Sequence, residues 1–120
     1  MSVEQYDGEG YRFWYKDPDE ALDFTLDMAN GQNPPLTGGE TIAAIDVTAD
    51  NGITVGDGAT QHSSSAGNVV PAAPAFDNTT VTVWLFGGPT SATYYEVTVR
   101  VRTSQQRIFD STFRIYPKKR

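Results

Sequence analysis

Along the chain, apolar residues recur at every second position in several separate stretches, the spacing of strands that bury one face. Leu22, Phe24, Leu26 and Met28 alternate with Asp23, Thr25 and Asp27, which predicts a strand over 20–28. Asp17-Pro18-Asp19 writes its entry, because proline fixes its own φ and keeps Asp17 out of the helical region. Ala43, Ile45 and Val47 alternate in the same way, and Asn51-Gly52 suits a two-residue turn, so a hairpin of 41–49 with 53–56 is expected. From 56 to 78 the chain turns small and polar, through Ser63-Ser64-Ser65 and Pro71-Ala72-Ala73-Pro74. That stretch reads as a long surface loop with one weak strand around Gly67 to Val70.

The last third carries the strongest pattern. Thr79 to Phe86, Thr93 to Thr103 and Ile108 to Tyr116 are separated by Gly87-Gly88-Pro89 and Ser104-Gln105-Gln106, and predict three consecutive antiparallel strands. Tyr95, Val97, Val99 and Val101 are expected to face inward, with Phe109, Phe113 and Ile115. Glu96, Thr98, Arg100, Arg102, Asp110, Thr112 and Arg114 are expected to face out. No stretch has a helical period. The expected fold class is all-β, an immunoglobulin-like β-sandwich of about seven antiparallel strands over 16–117. An aromatic and acidic segment at 1–15 precedes it and a basic tail at 118–120 follows. Tyr95, two residues before Val97, matches the tyrosine whose hydroxyl ties down the preceding connection in such sandwiches.

At 120 residues the chain is one ordinary domain, and without cysteine it has no disulfides, no thiolate zinc site and no cysteine nucleophile. No apolar run approaches the length of a membrane span, and Met1 to Arg12 lack the basic start and apolar middle of an export signal, so no membrane partner is expected. Charge is distributed unevenly: residues 1–60 sum to −10 and residues 61–120 to +4. Opposite-sign surfaces suit a protein placed between unlike neighbours or against copies of itself.

Chemistry-bearing residues do not converge on a reaction. Asp57, His62 and Ser63 to Ser65 crowd into one loop with no strained nucleophile turn, so no catalytic residue is assigned. Calcium takes six to eight converging oxygens, whereas Asp19, Asp23 and Asp27 spread along one strand face, so no metal or cofactor is expected. Gly87-Gly88-Pro89 lacks the Lys-Ser/Thr pair of a phosphate cradle, and Lys118-Lys119-Arg120 is too small a footprint for specific nucleic-acid binding. The strand ending in Trp84 and Phe86 becomes apolar on both faces and needs a cover. Either Phe13-Trp14-Tyr15 folds back over it, or a partner protein does. The candidate interface residues are Trp14, Trp84, Phe86, Tyr94, Arg100 and Arg102. A carbohydrate-stacking platform built from Trp84 with Tyr94 or Tyr95 is the alternative, and requires those rings coplanar and exposed.

The run Lys16-Asp17-Pro18-Asp19-Glu20, followed by Phe24-Thr25-Leu26-Asp27, resembles the opening of the phage fiber-tail adaptor family. Gly39-Glu40-Thr41-Ile42 resembles that family's Gly-Asp-Thr-Ile, and Val83-Trp84-Leu85-Phe86-Gly87-Gly88 its Val-Trp-Leu-Ser-Gly-Gly. Tyr95 to Thr103 with Arg107 to Phe113 resembles its closing hairpin, so the likeness covers about 16–116. The sequence departs from the pattern at Met28, where the family has Trp, at Gln105-Gln106, and in the extended loop between Gly56 and Asn78. The resemblance implies a non-enzymatic structural protein of a tailed phage or prophage. As an adaptor in the neck or tail it would join tail or portal-ring components to tail fibres. Its partners would be tail, neck and fibre proteins and further copies of itself in a ring. It would be found in the virion, and in the host cytoplasm before assembly. A carbohydrate-binding or adhesive surface module is the competing class.

Overall fold

The computed structural model describes residues 5–30 and 34–118, and among them there is no helix. Ten strands form: β1 Arg12–Lys16, β2 Ala21–Asp27, β3 Ile42–Ala49, β4 Ile53–Val55, β5 His62–Ser64, β6 Gly67–Val69, β7 Ala75–Phe76, β8 Thr80–Gly87, β9 Tyr95–Thr103 and β10 Ile108–Pro117. One sheet has the order β1-β10-β9-β3. A second has β2-β8-β4, with β7 also paired to β8, and β5 with β6 makes a separate small hairpin.

The two larger sheets face each other across one core. Phe24, Leu26, Val81, Val83 and Leu85 come from one sheet and Val97, Val99, Val101, Phe113 and Ile115 from the other, all buried. The period-two reading of β2, β9 and β10 therefore holds at every one of these positions. Aromatic rings cross the gap: Trp14 lies 5.3 Å from Phe24 and 5.4 Å from Phe113. The Tyr95 hydroxyl donates to the Pro89 carbonyl at 2.5 Å, which pins the connection between β8 and β9 as the tyrosine's position predicts.

Three expectations change. First, β8, β9 and β10 are not consecutive neighbours. β9 and β10 pair antiparallel, but β8 lies in the opposite sheet, because its two edges are already taken by β2 on one side and by β4 and β7 on the other. Second, β3 and β4 do not form a hairpin: β3 pairs with β9 and β4 with β8. At Asn51-Gly52 only Gly52 has positive φ, at 104°, whereas the two-residue hairpin turns need it at the first central residue, alone or with the second; this turn splays its flanking strands into different sheets. Third, Phe13-Trp14-Tyr15 is no separate segment but the middle of β1, which runs parallel to β10 with Trp14 opposite Ile115. A further detail corrects β3: a bulge between Ile42 and Ala44 shifts its phase, so Ala43 is exposed while Ile42, Ile45, Val47 and Ala49 face the core.

The two sheets are stitched along one side. The Arg12 guanidinium on β1 donates to the Asp27 carbonyl on β2 at 2.7 Å, and the buried Lys16 ammonium donates to the Gly87 carbonyl at the end of β8 at 2.7 Å. Burial pushes the Lys16 ammonium down to about 8, against the pull of Glu20, Asp17 and Asp19. The unfolded chain therefore holds a proton there that the folded chain has lost between pH 8 and the ordinary lysine value near 10.4. The stability difference between wild type and Lys16→Met is expected to move in favour of wild type as pH rises through that window. Urea titrations at pH 7.5, 9 and 10.5 measure it, and a flat difference refutes it.

Candidate functional site

The Lys16 to Glu20 run builds a compact anchor. Glu20 N–H closes a turn onto the Asp17 carbonyl at 3.0 Å, and the Glu20 carboxylate accepts Asp17 N–H at 2.9 Å. Asp19 reaches out of this turn to the long loop, accepting both the N–H and the hydroxyl of Ser65, while the His62 imidazole meets the Asp19 carbonyl at 2.9 Å. These Ser65 bonds hold the Asp19 carboxyl below its usual range. The His62 ring lies 5.2 Å from Phe86. Over Phe86 the cover required by the two-faced β8 is thus His62 of the β5–β6 hairpin, not Phe13-Trp14-Tyr15. The cleft between turn and hairpin has a volume of about 680 Å³ and is lined by Asp17, Pro18, Asp19, His62, Ser63, Ser65 and Thr90.

A second anchor joins the loop before β3 to the β9–β10 turn. Glu40 is buried and accepts the Thr37 N–H and hydroxyl on one oxygen and the buried Thr103 hydroxyl on the other. Arg107 grips the same carboxylate through Nε at 2.8 Å and also donates to the Pro35 carbonyl. The Arg107 guanidinium and the Thr103 hydroxyl hold Glu40 far below the usual carboxylate range.

The outer face of the β1–β10 sheet carries a feature that sequence reasoning did not single out. Arg114, expected to face out, does so and is nevertheless buried, because the segment before β1 folds over it. Its guanidinium lies 4.0 Å from the Tyr11 ring and 4.1 Å from the Tyr94 ring, and bonds Asp7, Glu9 and Glu96. Beside it, Phe13, Tyr15, Tyr94 and Tyr116 form a contiguous aromatic group with ring centres 5.4–6.0 Å apart. Tyr15 is 46% exposed, with the Lys118 ammonium 4.8 Å from its ring. The signal was present: Tyr11, Phe13 and Tyr15 alternate with Arg12, Trp14 and Lys16, which places three aromatics on the face away from the core.

The six candidate interface residues do not form one surface. Trp14 packs against the core, Phe86 is buried behind His62, and Trp84 is half-buried on the outer face of β8. Tyr94 belongs to the aromatic group around Arg114. Arg100 is exposed and bonds both oxygens of Asp110 at 2.8 and 3.1 Å, and Arg102 is exposed on the same strand. The stacking platform of Trp84 with Tyr94 or Tyr95 does not form, since Tyr95 is buried and one face of Tyr94 is occupied by Arg114. Among the described residues no three His, Asp or Glu side chains gather as metal ligands, and no helix is long and apolar enough to cross a membrane.

The family model described as podophage GP4 fiber-tail adaptor protein gp77 matches residues 16–116. The chain belongs to this family. No curated protein matches it. The fiber-tail adaptor match begins at Lys16, the residue that ties β1 to the end of β8, and stops at Tyr116, one residue short of the end of β10. Both anchors and the aromatic residues Tyr94 and Tyr116 lie inside the adaptor region. Tyr11, Phe13 and Tyr15, which complete the aromatic face, lie before it.

Proposed function

We propose that this chain is a non-enzymatic structural component of a tailed phage or prophage, an adaptor in the neck or tail that joins tail or portal-ring components to tail fibres. The match to the fiber-tail adaptor family over 16–116 carries the reading. The paired sheets are an immunoglobulin-like sandwich serving as a rigid spacer. Copies repeated in a ring around the tail axis add many weak contacts into one strong attachment through effective concentration. The partners are tail, neck and fibre proteins, with neither membrane nor specific nucleic acid among them, and the protein passes from the host cytoplasm into the virion. Of its surfaces, the aromatic face around Tyr15 is better suited to a partner than Trp84 and Phe86, because it is exposed and edged by a cation.

The test is deletion of the gene from the phage that encodes it. Electron microscopy should show tails without fibres, with fibres restored when the protein is supplied in trans. Fully fibred particles from the deletion, or purified virions free of the protein, would overturn the reading.

A further inference from the structure

The side of the fold opposite the Arg12–Asp27 stitch is open. β3 is the last strand of its sheet, and the facing edge of the other sheet is interrupted, with β4 and β7 sharing it. Between the two edges lies a groove of about 400 Å³ lined by Ile45, Asp46, Val47, Val55, Gly56, Asp57, Ala73 and Pro74. Its ends are closed. Ile42 N–H donates to the Asn78 carbonyl at 2.8 Å at one end, and the turn from Asp50 to Ile53 stands at the other.

The edge of β3 is unprotected between those ends. Asp50 N–H bonds the Glu96 carbonyl on the β9 side, so by the two-residue period Thr48, Asp46 and Ala44 also point their N–H groups at β9. The N–H and carbonyl groups of Ile45, Val47 and Ala49 therefore point the other way, where no strand pairs with them among the described residues. The free edge of β1, by contrast, is capped in its first half by Tyr6 bridging Arg12 and by Phe13 N–H on the Gln5 carbonyl. The free edge of β2 carries Asp23 and Asp27, charges of the kind that discourage pairing.

We infer that the β3 edge is a docking site for an extended segment of another protein, one that adds a strand beside Ala44 to Ala49, drops alternate apolar side chains into the groove and presents lysine or arginine to its acidic rim. Strand addition takes its affinity from the main-chain bonds and its specificity from the alternate pockets. Charge fixes the sign of the occupant, because the two ionisable residues lining the groove, Asp46 and Asp57, are both acidic. That the segment belongs to a virion protein rests on the adaptor reading; the open edge does not.

The test uses the full chain and a synthetic nonapeptide in which valine alternates with threonine and lysine. Titration followed by amide NMR should give saturable shifts at Ile45, Val47 and Ala49. A peptide with glutamate in place of lysine should bind about tenfold or more weakly, the size of effect expected when like charges meet at a rim. Val47→Pro removes an outward N–H without touching the β9 ladder and should abolish the shifts. Should that variant fail to fold, the peptide with prolines at alternate positions carries the same comparison and should not bind. Absent or non-saturable shifts overturn the inference, as do shifts confined to the aromatic face. Self-association of the peptide-free protein that Val47→Pro abolishes also overturns it, by assigning the edge to a second copy. None of these outcomes needs a virion, so they are separable from the result of the gene deletion.

Discussion

Glu40→Gln is expected to lower the melting temperature by about 10 °C, because it leaves the Arg107 guanidinium without its charge partner at a buried carboxylate position. The glutamine oxygen still accepts from Thr37 or Thr103, so the loss reports the ion pair more than the hydrogen-bond count. The pH dependence supplies a second, independent sign. Glu40 is held below its ordinary value in the folded chain, so its stabilisation is fully present above the unfolded value near 4.3 and is lost as pH falls through the folded one. The gap between wild type and variant should therefore be widest at neutral pH and shrink in acid. Differential scanning calorimetry at pH 7 and pH 3 measures both, and a gap that widens in acid contradicts the assignment.

The second large effect is expected at Gly56. A Cβ there would sit 2.5 Å from the Ala72 carbonyl oxygen, 2.9 Å from the Pro71 Cβ and 3.0 Å from the Trp84 Cβ. Its N–H is meanwhile bonded to the Trp84 carbonyl at 2.8 Å, which leaves the backbone no slack. Gly56→Ala should cost about 2–3 kcal/mol, the upper part of the roughly 1–3 kcal/mol usual for overfilling a packed contact. The damage should concentrate where the long loop returns to the sheet. Faster hydrogen exchange at Gly58, whose N–H bonds the Pro71 carbonyl, would locate it there. An unchanged urea midpoint would show that the loop base yields without resistance.

Alternation along β2 and β9 was legible because Phe24, Leu26, Val97, Val99 and Val101 are buried while the Asp23, Thr25, Arg100 and Arg102 that alternate with them are exposed; on β10 the outward Arg114 is buried as well, which the pattern does not announce. What sequence reasoning missed was partnership. Asn51-Gly52 reads as a hairpin, but a turn with positive φ at Gly52 alone carries the chain between sheets instead of folding it back. The bulge at Ala43 turns that residue outward and buries Ile42 in its place, which no local pattern announces. Glu40 sits in a loop of ordinary turn residues, and its importance appears only when Thr103 and Arg107 arrive from across the chain. The split between an acidic first half and a basic second half was legible too, and it suggested opposed outer surfaces. In space the halves meet: Asp7 and Glu9 bond Arg114, and Glu40 bonds Arg107, so much of that asymmetry is spent inside the molecule.

The parallel pairing of β1 with β10 bears on biosynthesis. A strand near the start of the chain has no hydrogen-bonded neighbour within its sheet until Phe113 to Pro117 have been made. Asp7 and Glu9 likewise wait for Arg114. Contacts of such long sequence separation delay folding until loop closure is complete. A chain interrupted on the ribosome before β10 would therefore leave β1 without its neighbour and Asp7 and Glu9 without the guanidinium they bond.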